Sequence, residues 1–109
     1  MLRIENQKHS ETLDLNNELI NDETISNFLI PFLSKNLHFK IIELKGNNLS
    51  PRIFSKLAKV LIEQKNLEVL NLEWNRLGMD EEGVLAVKAV LEECRKIKFI
   101  DLKNNKIGF

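Results

Sequence analysis

One twelve-residue pattern, repeated at nearly constant spacing, constrains this chain more than any other feature. LEVLNLEWNRLG (67–78) places Leu67, Leu70, Leu72, Asn75 and Leu77 at fixed offsets. FKIIELKGNNLS (39–50) has Phe39, Ile42, Leu44, Asn47 and Leu49 at the same offsets, and IKFIDLKNNKIG (97–108) has Ile97, Ile100, Leu102, Asn105 and Ile107. A weaker copy, TLDLNNELI (12–20), supplies Leu13, Leu15 and Ile20, with Glu18 where asparagine is expected. Leu15, Leu44, Leu72 and Leu102 are separated by 29, 28 and 30 residues. Self-similarity at such a period is the mark of a repeat architecture, in which each unit buries its apolar face against the next.

Between the copies lie segments with helical periodicity. In 80–96 the stripe Val84, Val87, Leu91 and Cys94 advances by three or four residues. In 51–65 the stripe is Phe54, Leu57, Ala58 and Leu61, with Ser50 and Pro51 suited to N-cap and first helical positions. In 22–35 it is Ile25, Phe28, Leu29 and Phe32, and Pro31 is expected to kink or shorten that helix. Asp22 and Asp80 are the predicted N-caps of the first and third helices. Each unit therefore reads as strand, turn, helix and return.

The pattern LxxLxLxxNxLG, carried by Leu67, Leu70, Leu72, Asn75, Leu77 and Gly78 with Gly83 near the helix start, resembles a leucine-rich repeat of the ribonuclease-inhibitor-like class. The resemblance covers residues 12–109. It implies an α/β fold, a short leucine-rich-repeat solenoid with about four parallel strands on the concave side and three helices on the convex side. The whole chain, 1–109, is then a single domain, with an N-terminal edge segment (1–11) and repeats starting near 10, 39, 67 and 97, the last incomplete. Such a motif specifies a fold and says little about function.

The asparagines follow from the stack. Past each strand the chain turns away from the sheet, so buried backbone groups lose their ladder partners. An asparagine amide offers two donors and an acceptor, and Asn47, Asn75 and Asn105 are expected to form a structural column. Strand side chains alternate, so the residues between the core leucines face the other way, onto the concave surface. They fall into four columns: Thr12, Ile41, Val69, Phe99; then Asp14, Glu43, Asn71, Asp101; then Asn16, Lys45, Glu73, Lys103; and Asn17, Gly46, Trp74, Asn104 at the strand exits. An apolar row rimmed by charge marks an interaction site, and tryptophan is enriched at binding hot spots. The candidate partner-binding residues are thus Ile41, Glu43, Lys45, Val69, Asn71, Glu73, Trp74, Phe99, Asp101 and Lys103.

Chemistry is not legible. His9 and His38 stand alone, without metal-ligand spacing around them, and the four glycines, 46, 78, 83 and 108, mark turns and helix starts rather than a phosphate loop. Cys94 closes a helix stripe and reads as a buried thiol. Glu81/Glu82 and Glu92/Glu93 fall on predicted helix surfaces. No enzymatic activity, metal or cofactor is expected. Lysine plus arginine equals aspartate plus glutamate, 16 each, which argues against a nucleic-acid or a charge-held membrane partner. The N-terminal stretch lacks the apolar core of a secretory signal, and one cysteine fits a reducing, cytoplasmic compartment. The expected partner is another protein. Proteins resembling this class include inhibitors, regulators of small GTPases and effectors that pathogens deliver into host cytosol. The alternatives are a self-associating unit, joined through an uncapped C-terminal end where Ile97, Ile100, Leu102, Ile107 and Phe109 lie, a fragment of a longer protein, or, more weakly, a regulator of a partner enzyme such as a small GTPase.

Overall fold

The computed structural model describes residues 4–107. It is an α/β arrangement built on a four-stranded parallel sheet in the order β1 (Thr12–Asp14), β2 (Ile41–Glu43), β3 (Val69–Asn71), β4 (Phe99–Asp101). Three helical segments connect the strands. The first is composite, α1 (Asp22–Thr24), a π turn (Ile25–Leu29) and α2 (Ile30–Lys35); the others are α3 (Pro51–Leu61) and α4 (Glu81–Glu93). Strand order follows chain order because each crossover sets the next strand beside the last, as parallel pairing requires.

The pattern positions make the core. Leu13, Leu15, Phe39, Ile42, Leu44, Leu49, Leu67, Leu70, Leu72 and Leu77 are all buried, and the helices add Ile25, Leu29, Phe32, Leu33, Ile53, Phe54, Leu57 and Leu61. Ser50 caps α3 by accepting a hydrogen bond from the Ile53 N–H, and Asp80 caps α4 through the Gly83 N–H. At the first helix the cap is Asn21, which accepts from the Thr24 N–H, so Asp22 is a first-turn acid and not the N-cap.

Two of the stripes differ from the sequence reading. Pro31 neither ends nor confines its helix; the chain stays helical from 22 to 35 through the π turn, closed by the Ile30 N–H on the Ile25 carbonyl. A proline lacks the N–H that the ladder needs and crowds the carbonyl four residues back, and a π turn changes the ladder's register just ahead of it. The wider turn carries Phe28 further round than an α-turn would. Phe28 is therefore 50% exposed and Leu33 takes its place in the core. With Ile4, Pro31 and Phe32 it lines a surface groove of about 450 Å³. In α4 the buried face is Gly83, Ala86, Val87, Val90 and the flanking Cys94, whereas Val84 and Leu91 are 40% and 45% exposed. Gly83 sets that orientation. A Cβ on it would lie 1.9 Å from the Leu77 carbonyl oxygen, so the helix presents its only side-chain-free position to the turn before it. Of the glycines, Gly46 lies in the left-handed region at φ +70°. Gly108 and Phe109 lie outside the described residues.

Candidate functional site

The face of the sheet turned away from the helices is set by register. Thr12 pairs with Ile41, Ile41 with Val69, and Val69 with Phe99; two residues on, Asp14, Glu43, Asn71 and Asp101 pair in the same way. Parallel strands about 4.8 Å apart stack these side chains into rows. Ile41 and Val69 are half-buried, while Phe99 is 55% exposed at the outer strand and Trp74 is 57% exposed at the exit of β3. Glu43, Lys45, Asn71, Glu73 and Asp101 are half-buried and Lys103 is exposed.

The second row is largely engaged in local structure. Asp14 Oδ1 accepts from the Asn16 N–H at 3.1 Å, Asn71 Oδ1 from Glu73 at 3.0 Å and Asp101 Oδ1 from Lys103 at 3.0 Å. These short side chains fold back two residues and end the strand. Glu43 is one methylene longer and makes no such turn; the Lys45 N–H is taken instead by Asn16 Oδ1 at 2.8 Å. The Glu43 carboxylate keeps one oxygen, Oε2, buried without a hydrogen-bond partner. It stands between Asp14 and Asn71 in the middle of the face. Glu73 bridges Lys45 at 3.8 Å and Lys103 at 3.9 Å, and Lys103 also lies 3.8 Å from Asp101. At the strand entries Lys40 donates to Glu11 at 2.8 Å, which holds the Glu11 carboxyl below and the Lys40 amine above their usual values.

The strand exits share one backbone state. Asn17, Gly46, Trp74 and Asn104 all have φ between +56° and +70°. Glycine and asparagine enter that region readily, whereas a bulky residue there costs roughly 1–2 kcal/mol. Trp74 is the bulky one, and its exposed indole recovers little of that cost by burial. Trp74→Asn, which installs the residue found at the equivalent exits, is expected to raise unfolding free energy in urea by about 1 kcal/mol. A loss of stability would show that the indole packs more than its exposure indicates.

The turns are fastened by the asparagines. Asn75 Nδ2 donates to the carbonyls of Leu44 at 3.0 Å and Leu72 at 2.9 Å, while its Oδ1 accepts from the N–H groups of Asn47 at 3.2 Å and Leu49 at 2.9 Å. Asn47 repeats this one unit earlier, bonding the Leu15 and Leu44 carbonyls and the Glu18 and Ile20 N–H groups. Asn105 bonds the carbonyls of Leu72 and Leu102 and the Leu77 N–H. Glu18, at the asparagine position of the first unit, is exposed.

A second polar column was not anticipated from sequence. Gln64 is fully buried; its Nε2 donates to the carbonyls of Leu33 at 3.0 Å and Asn36 at 2.9 Å, and its Oε1 accepts from the Phe39 N–H at 3.3 Å. Cys94, one unit on, directs its thiol to the Leu61 carbonyl at 3.5 Å. The available signal was offset: Asn36, Gln64 and Cys94 each stand three residues before the first pattern position, Phe39, Leu67 and Ile97. Burial pushes the Cys94 thiol above its usual value, which disfavours the nucleophilic thiolate. His38 packs on Phe39 with ring centroids 4.4 Å apart, its Nε2 3.1 Å from the Ser10 carbonyl. Among the described residues no group of three or more His, Cys, Asp or Glu side chains is placed to hold a metal, and no helix is long and apolar enough to cross a membrane.

No protein-family model matches the chain. Over 80 residues, 73% of its length, it is 38% identical to leucine-rich repeat-containing protein 45 of Gallus gallus. The chain spans about 12% of that curated relative. The similarity supports a leucine-rich-repeat relationship, in agreement with the four parallel strands and three helical segments.

Proposed function

We propose that the chain is a short leucine-rich-repeat solenoid of the ribonuclease-inhibitor-like class that binds another protein through its concave strand face and strand exits, with no chemistry of its own. The observation that carries this reading is the solvent-facing row Ile41–Val69–Phe99 beside the exposed Trp74. Apolar side chains aligned by register and rimmed by charge form an interaction patch. Trp74 adds a large, stiff contact surface at a strained backbone position, and strain of this kind concentrates at binding sites. Glu43 supplies an unengaged carboxylate at the centre, suited to a lysine or arginine of the partner.

Affinity capture followed by mass spectrometry, with wild type beside Trp74→Ala and Glu43→Lys, tests the proposal. Truncating a hot-spot tryptophan costs about 2 kcal/mol or more, roughly a 30-fold loss of affinity. Both variants are expected to lose the captured protein while keeping the wild-type thermal midpoint to within a few degrees. The helix-side variant Lys59→Glu is expected to retain it. Full capture by both face variants overturns the reading.

A further inference from the structure

The rows on the strand face have a repeat distance of their own. Within a row, neighbouring side chains stand one strand apart, about 4.8 Å. A helix laid across the strands sets the residues of one stripe, three or four apart, about 4.5–6 Å along its axis, so it meets one strand per turn. An extended segment in the same direction sets same-side residues about 6.6 Å apart and falls out of step by the second strand. Ile41 and Val69 are half-buried, apolar and on inner strands, each flanked on both sides by a strand of this chain. The next row, two residues on, holds Asp14, Glu43, Asn71 and Asp101: three carboxylates and no cation. The lysines beyond it are turned to Glu73, Lys45 at 3.8 Å and Lys103 at 3.9 Å. Asp14 and Asp101 are drawn back onto their own turns. Glu43 is not, and among the described residues no donor reaches its buried Oε2.

We infer that the partner lays an amphipathic helix across these strands, its apolar stripe on Ile41 and Val69 and an arginine of the adjacent stripe on the Glu43 carboxylate. This occupant presupposes that the concave face is the binding surface; it adds which element binds there and which cation it carries. A carboxylate oxygen held from water without a donor is costly, and a cation with N–H groups recovers that cost. The last torsion of a glutamate is soft, so Oε2 turns outward to a donor arriving from the open face. Arginine suits the place better than lysine. Its guanidinium is more weakly hydrated, offers paired N–H groups to the two oxygens, and its stem lies along apolar side chains such as Ile41, two residues before Glu43 on the same strand.

Fluorescence anisotropy with a labelled peptide tests this occupant. The probe is a helical peptide of about 16 residues, ~24 Å long, built on alanine and glutamine, with leucines spaced four and three along one stripe and a single arginine on the next. Its anisotropy is expected to rise saturably with wild-type protein below about 500 μM. Glu43→Gln is expected to weaken binding at least tenfold with an unchanged circular dichroism spectrum and urea midpoint, and so is glutamate in place of the peptide's arginine. Asp14→Asn removes a charge from the same row but not the open oxygen, and is expected to change affinity less than about threefold. Proline at two inner positions of the peptide keeps the recognition side chains but breaks the helix, and is expected to abolish the rise. The helical, arginine-bearing occupant is overturned by no saturable binding, by equal binding of the proline peptide or of Glu43→Gln, or by an equal loss in Asp14→Asn. If capture from lysate still depends on Trp74 and Glu43 in that event, the concave-face reading stands without it; if capture does not, both fall.

Discussion

Replacing Asn75 by alanine is expected to lower the unfolding free energy by about 3–5 kcal/mol, read from urea denaturation at constant slope. The residue is only 4% exposed, and its amide satisfies two carbonyls, of Leu44 and Leu72, and two N–H groups, of Asn47 and Leu49. Alanine removes all four bonds; the Leu44 and Leu72 carbonyls each keep a second amide donor, from Asn47 and Asn105, but the Asn47 and Leu49 N–H groups are left without an acceptor at about 1–3 kcal/mol each. Two such groups account for the expected loss. Asn75→Asp separates the two halves of the account. It preserves the acceptor but loses both donors and points a carboxylate at carbonyls, so it is expected to be no better than alanine. Asn105→Ala lies at the outer strand and frees only one N–H, of Leu77, with the Leu102 carbonyl, while the Leu72 carbonyl keeps Asn75. Roughly half the loss at Asn75 is expected there. A change under about 1 kcal/mol at Asn75 would refute the proposed role of the amide.

That role was readable because it repeats. Leucine spacing within a unit and the 28–30-residue spacing between units fix which residues pair, so the rows on the strand face fall into register without coordinates. The helices gave less away. In α4 apolar residues run almost all round, and both Val84–Val87–Leu91 and Gly83–Ala86–Val90 satisfy a helical period. The choice between them rests on the contact of Gly83 with the Leu77 carbonyl, which no periodicity encodes. Phe28 was misplaced because a π turn, not an α-turn, precedes Pro31. Gln64 escaped because a glutamine at a helix end reads as solvated, and its burial depends on the helix end one unit earlier. On the face, the columns were legible but their engagement was not. Whether an acid folds back on its own turn, as Asp14 and Asp101 do, or stands free, as Glu43 does, depends on one methylene and on where Asn16 reaches.

The same dependence on close approach makes Gly83→Ala the sharper test of how α4 is seated. In the interior of an exposed helix, alanine for glycine stabilises by about 0.5–1 kcal/mol, because glycine loses more backbone freedom on folding. Gly83 has no left-handed backbone to protect, so propensity alone predicts a gain. The structure predicts the reverse. A Cβ there meets the Leu77 carbonyl oxygen at 1.9 Å, the Leu77 carbonyl carbon at 2.9 Å and Pro51 Cβ at 3.0 Å, and the first two are backbone atoms that no rotamer change can move aside. Relief requires α4 to lift from the Leu77–Met79 turn, which draws Ala86, Val87 and Val90 away from the core and loosens the Asp80 cap on the Gly83 N–H. A net loss of about 2–4 kcal/mol is expected in thermal or urea unfolding, against little change for Lys88→Ala on the exposed side of the same helix. A stabilised Gly83→Ala would mean that the helix does not sit against that turn, and the inward assignment of Ala86 and Val90 over Val84 and Leu91 would fall with it.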